Sequence, residues 1–132
     1  MTYNSTAQEL YVANIFSDDV FVIDLNSANT GTYHTVTHTI DVGIQPYYAT
    51  SLGTKVYVTN NVSNSVSVIN TSTHAVTNTI SVGTAPRGIR VHGTDLYVAN
   101  YGSGSYGSVP TAAGTISVID STTNTVTDTI TV

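Results

Sequence analysis

The chain contains no cysteine, and its only basic residues are Lys55, Arg87 and Arg90 among 132. Without cysteine there is no disulfide, no thiolate metal site and no cysteine nucleophile. Three cations against eight acids give a net charge of -5, which leaves nothing to neutralise a run of phosphates, so no nucleic-acid partner is expected. No apolar stretch approaches the length of a membrane span, and Met1 to Glu9 lack the basic start and apolar centre of a signal peptide. Membrane insertion is therefore not expected, and export would require a signal outside these residues. Charged residues make up 8% of the chain, against about 25% in an average globular protein. Thr, Ser and Asn take their place and keep the surface wet with hydroxyls and amides, a composition that suits an extracellular coat. The 40% hydrophobic content is enough to fill one domain core.

Self-similarity organises the rest. Leu10-Tyr11-Val12-Ala13-Asn14 returns as Val56-Tyr57-Val58-Thr59-Asn60 and as Leu96-Tyr97-Val98-Ala99-Asn100. Each copy is followed by a second apolar run, Val20 to Asp24, Val66 to Asn70 and Ile116 to Asp120, and then by a third, Val36 to Val42, Val76 to Val82 and Val126 to Val132. Tyr57 and Tyr97 are 40 residues apart. The longer spacings come from two insertions, one near Leu25 to Thr35 and one near Tyr101 to Gly114.

The runs are short, β-branched and aromatic, bounded by Asn, Asp, Ser, Thr and Gly, and their period is two, so they are strands. The first and second runs are apolar on both faces, which requires cover above and below. The third keeps Val36, Ile40 and Val42 on one face and Thr35, Thr37, Thr39 and Asp41 on the other, the pattern of an outer strand. Gly43-Ile44-Gln45-Pro46 and Gly83-Thr84-Ala85-Pro86 link the repeats and reverse the chain into a further short strand, near Tyr48 to Ser51 and Gly88 to His92. Four strands per repeat, stacked side by side, describe propeller blades.

Tyr57-Val58-Thr59-Asn60 is the tetrapeptide after which the YVTN-type β-propeller repeats are named, and Val118-Ile119-Asp120-Ser121-Thr122-Thr123-Asn124 with Ile130-Thr131-Val132 is similar to the rest of that blade. The chain thus resembles that family from Leu10 onward. The resemblance implies an all-β fold of three four-stranded antiparallel blades: 10–42, 43–82 and 83–132, with 1–9 an N-terminal segment and candidate inner strand. Thr2 to Thr6 match Ala49 to Leu52 only weakly, so the first blade is expected to be incomplete. The family is common in prokaryotic surface-layer and other exported propellers, and some members are fused to or related to redox enzymes. It shares no catalytic residue that could be carried onto this chain.

Few residues point to chemistry. His34, His38, His74 and His92 are scattered, and only His34 and His38 are spaced to suggest a metal site, which a solvated turn explains better. Asp18-Asp19 reads as a turn, and Asp24, Asn70 and Asp120 recur in register as strand-ending turn formers. No Ser-His-Asp order, phosphate loop or acid pair stands out, so neither enzyme activity nor cofactor nor metal is expected. Alternating strand directions place the Tyr101 to Gly114 insertion on the same side of the disc as Asp18 and Asn61. Tyr47, Tyr48, Arg87, Tyr101 and Tyr106 there form the candidate binding face, aromatic and adaptable beside a guanidinium. The Asn26 to Thr35 insertion falls on the opposite side and is expected to be decorative.

Three blades are fewer than a ring requires and would leave two apolar faces uncovered. Either the chain belongs to a longer propeller, or identical chains join head to tail, as a homodimer closing a six-bladed ring or as a helical polymer. The function expected is a non-catalytic structural or adhesive component of a prokaryotic cell-surface or extracellular assembly. Glycans are an expected decoration at the sequons Asn4-Ser5-Thr6, Asn61-Val62-Ser63 and Asn70-Thr71-Ser72 if the chain is exported. The alternative is a ligand-binding or enzymatic propeller whose site is completed by other chains or further blades.

Overall fold

The computed structural model describes residues 1–102 and 113–132. They form three four-stranded antiparallel sheets, each a simple meander. The first holds β1 (Thr2–Asn4), β2 (Glu9–Asn14), β3 (Asp19–Asp24) and β4 (Val36–Asp41). The second holds β5 (Pro46–Leu52), β6 (Lys55–Asn60), β7 (Ser65–Asn70) and β8 (Ala75–Ser81). The third holds β9 (Pro86–His92), β10 (Asp95–Asn100), β11 (Thr115–Asp120) and β12 (Thr125–Thr131). These are open-ended β-propeller blades: the three sheets stack in chain order and do not close into a ring. The weak match of Thr2 to Thr6 hides a real strand, since Thr2, Tyr3 and Asn4 pair with Tyr11, Leu10 and Glu9. That inner strand is three residues long where β5 and β9 have seven.

Apolar residues on both faces of the second and third strands fill two separate cores between blades. Tyr11, Val20, Val22 and Ile40 of the first blade meet Ala49, Val56, Val58 and Ile69 of the second. Tyr57, Val66, Val68 and Ile80 of the second then meet Ile89, Leu96, Val98 and Ile119 of the third. The period of two sends Tyr57 one way and Val56 and Val58 the other, so the central blade is buried on both sides. A register shift recurs in every blade between the third and fourth strands, at Val22/Ile23, Val68/Ile69 and Val118/Ile119. Bulges of this kind sharpen the local twist.

The Asn that ends the second strand ties each hairpin together. Asn14 Nδ2 donates to Asp19 Oδ1 at 2.6 Å, Asn60 Nδ2 to the Ser65 and Ser67 hydroxyls, and Asn100 Nδ2 to those of Thr115 and Ser117. The turn-forming carboxylates and carboxamide behave as their recurrence implies. Asn70 Oδ1 accepts from the Ser72 and Thr73 N–H groups, and Asp120 Oδ1 from those of Thr122 and Thr123. In the first blade Asp24 does more: its carboxylate accepts from the Asn26 N–H, the Asn29 carboxamide and the Thr32 hydroxyl. The insertion expected to be decorative is thus built around one buried carboxylate.

Candidate functional site

The candidate binding face divides in two. Tyr47 and Arg87 follow the prolines of β5 and β9, where the strand registers shift against β6 and β10. Bulged residues leave the alternation of the strand and can be re-aimed. The Arg87 guanidinium lies 4.2 Å from the Tyr101 ring centroid and 5.5 Å from that of Tyr47, a cation–π arrangement spanning two blades. Tyr48 is placed elsewhere: it is partly buried against the edge of the core between the second and third blades, its hydroxyl accepts from Arg90 Nη2 at 2.9 Å in an exposed bond, and its ring lies under that guanidinium at 4.7 Å. Tyr106 lies outside the described residues.

The same side of the disc carries apolar side chains that sequence reasoning missed. Ile15 and Phe16 are exposed at the tip of the β2–β3 turn, Val62 at the tip of the β6–β7 turn, and Ile44 in the β4–β5 link. Phe16 is wholly exposed. An apolar residue between two strands, at a position where turns are normally polar, was the available signal. Asp18 and Asn61 also lie on this side, with structural tasks: Asp18 Oδ1 accepts from the Gln45 N–H and Asn61 Nδ2 donates to the Pro86 carbonyl, both across blades.

The stack ends in two uncovered faces. One motif position shows this directly: Tyr11 and Tyr57 are each 0% exposed, whereas Tyr97 is 36% exposed. Ile40 and Ile80 are each 6% exposed, and Ile130, their counterpart in the third blade, is 42% exposed. On that last face Tyr48, Gly88, Arg90, Tyr97, Ala99 and Ile116 line an open, mainly apolar groove of about 340 Å³. At the other end Leu10, Val12 and Ile23 are only partly covered, although their counterparts Val56, Val58 and Ile69 are buried.

The histidines His34 and His38, whose spacing reads as a solvated turn, take separate partners. His38 stacks on His74, ring centroids 3.7 Å apart and 11° from parallel, while His34 stacks on Tyr33. His74 Nε2 donates to Glu9 Oε1 at 2.9 Å, and Glu9 Oε2 accepts from the Tyr11 hydroxyl at 2.7 Å. Burial, then the bond to Glu9 and its negative charge, drive the Tyr11 phenol far above its ordinary pKa. This chain of groups joins the first two blades. It was illegible in sequence because Glu9 and His74 meet only through the register of neighbouring sheets. Among the described residues no group of three or more His, Asp or Glu gathers as a metal cluster would require.

The sequon asparagines are engaged. Asn4 is buried, donates to the Gly53 carbonyl and accepts from the Ala7 N–H. Asn61 and Asn70 use their carboxamides in the contacts given above. A glycan on Asn4 would require the end of β1 to open.

No family model matches the sequence, and no curated protein matches it. Solved structures do resemble it. Hydrazine synthase from Kuenenia stuttgartiensis aligns at 22% identity with a TM-score of 0.68, over 99% of this chain and 48% of that one. A protein of unknown function from Bacteroides caccae gives 12%, 0.72, 98% and 47% for the same quantities, and AztD from Citrobacter koseri 16%, 0.68, 92% and 32%. At these identities the likeness concerns the fold, which is propeller-like. The chain spans less than half the length of each.

Proposed function

We propose that this chain is a non-catalytic building block, of the YVTN repeat type, for a prokaryotic cell-surface or extracellular assembly in which blade-on-blade association completes the propeller. The observation that carries this reading is the exposure of Tyr97 at a position where Tyr11 and Tyr57 are buried. An apolar blade face left open is a surface that calls for another blade. The in-register polar groups are committed to turns, hairpin ties and cross-blade bonds, which fits a structural role. The low charge and the wholly exposed Phe16 fit an adhesive outer face. Antibody against the folded protein tests the location: intact cells that make it should be labelled, and labelling only after lysis would overturn a surface role.

A second reading has its own support. Arg87 lies between Tyr47 and Tyr101 at bulged positions, the arrangement of a contact surface for an anionic or aromatic ligand, and the structural neighbours include a hydrazine synthase. In that case the chain would supply part of a ligand-binding or enzymatic propeller. A small molecule or ion co-purifying with the native assembly, and lost on Arg87→Ala, would favour it.

A further inference from the structure

Both internal junctions use one cross-blade contact. The residue that opens the second strand of a blade reaches the left-handed residue of the turn before the outer strand of the next blade. Glu9 Oε1 accepts from His74 Nε2 at 2.9 Å, and Lys55 Nζ donates to Asn124 Oδ1 at 3.3 Å and to the Ser121 carbonyl at 2.8 Å. His74 and Asn124 are matched in backbone, with φ of 50° and 55° and N–H groups donating to Asn70 O and Asp120 O. At the open end of the third blade the reaching position is Asp95, which pairs with Asp120 as Glu9 pairs with Asp24. At the open end of the first blade the receiving position is His34, with φ of 64° and its N–H donating to Asp24 O. His34 is exposed and Asp95 partly so. The two free ends therefore carry an acid and a histidine, the combination that already joins the first blade to the second.

We propose that the open faces are each other's partners: a second copy docks head to tail, with Asp95 of one copy against His34 of the other at both junctions of a closed pair. Tyr97, Ile116, Val118 and Ile130 would be covered by Leu10, Val12 and Ile23, as Tyr57, Val66, Val68 and Ile80 are covered by Leu96, Val98 and Ile119. Two copies of three sheets give a blade number within the usual propeller range of about four to eight, and unlike faces can only meet in this heterologous way. The proposal rests on the reading of the chain as an open propeller segment.

The absence of cysteine makes the test clean. Asp95→Cys and His34→Cys, made in separate chains and mixed, should be joined by a short bismaleimide, while neither variant alone should link to itself. Light scattering on the same samples reports their assembly. Self-linking of either single variant would mean that like ends meet and would overturn the proposal. A stable oligomer with no linkage in the mixture would overturn this junction and leave self-association standing, whereas a folded monomer would overturn both. Asp95→Lys should weaken dimerisation by about two- to thirtyfold, one exposed ion pair being lost at each of the two junctions, and adding His34→Glu should restore it. Failure of the pair to restore it would remove the charge contact from the junction.

Discussion

Gly83 approaches the carboxamide of Asn100 so closely that a Cβ added to the glycine would stand 2.5 Å from Asn100 Nδ2. Gly43 stands in the same relation to Asn60, at 2.7 Å. The link between blades is thus threaded against the residue that ties the following hairpin. Gly83→Ala should lower stability by about 1–3 kcal/mol, as overpacking of a filled site does. Asn100→Ser should lower it too, but the double variant should lose less than the sum, because the serine vacates the space the methyl needs. Urea melts of the four proteins measure the coupling, and strict additivity would contradict the contact.

Acid should weaken the turns. The Thr32 hydroxyl, the Asn26 N–H and the Asn29 carboxamide hold the Asp24 carboxyl below its ordinary pKa, and the Thr122 N–H leads the same effect at Asp120. A carboxyl whose folded pKa is depressed contributes stability above its unfolded pKa, about 4, and loses it as pH falls through the folded value. Thermal melts of Asp24→Asn and Asp120→Asn should therefore differ from the native protein most at neutral pH and converge with it in acid. A difference unchanged between pH 7 and pH 2 would contradict this assignment.

Strands β10 and β11 pair in the same register as β6 and β7, Tyr97 opposite Val118 and Tyr57 opposite Val68. The second blade makes this connection through Asn61 to Asn64 alone. Replacing residues 101–114 by that four-residue turn should preserve the β-sheet circular dichroism and the assembly. Loss of the fold would show that the insertion supports the blade.

Equivalent tyrosines should respond differently to charge. Tyr57→Asp places a carboxylate in the closed core between the second and third blades and should unfold the chain. Tyr97→Asp places it on the open face and should abolish association while circular dichroism stays native-like. Equal unfolding by both would mean that the third-blade face is part of a closed core.

The repeat made the architecture legible, because Tyr11, Tyr57 and Tyr97 share one register and alternation fixes which neighbours face the same way. The inner strand Thr2–Asn4 was faint because only three residues carry it. The site was less legible. The prolines before Tyr47 and Arg87 mark the links, but the register shifts that bring Arg87 to Tyr101 and separate Tyr48 from Tyr47 are set by packing between sheets. The Glu9–His74 contact and the stacked His38 and His74 rings arise across blades from residues with no local pattern.

The mass of the native assembly tests the central claim most directly. Light scattering on the purified chain at micromolar concentration should give twice the 13.9 kDa of one copy, with the spectrum of intact β-sheet. A well-folded species of 13.9 kDa, stable on dilution, would contradict the account.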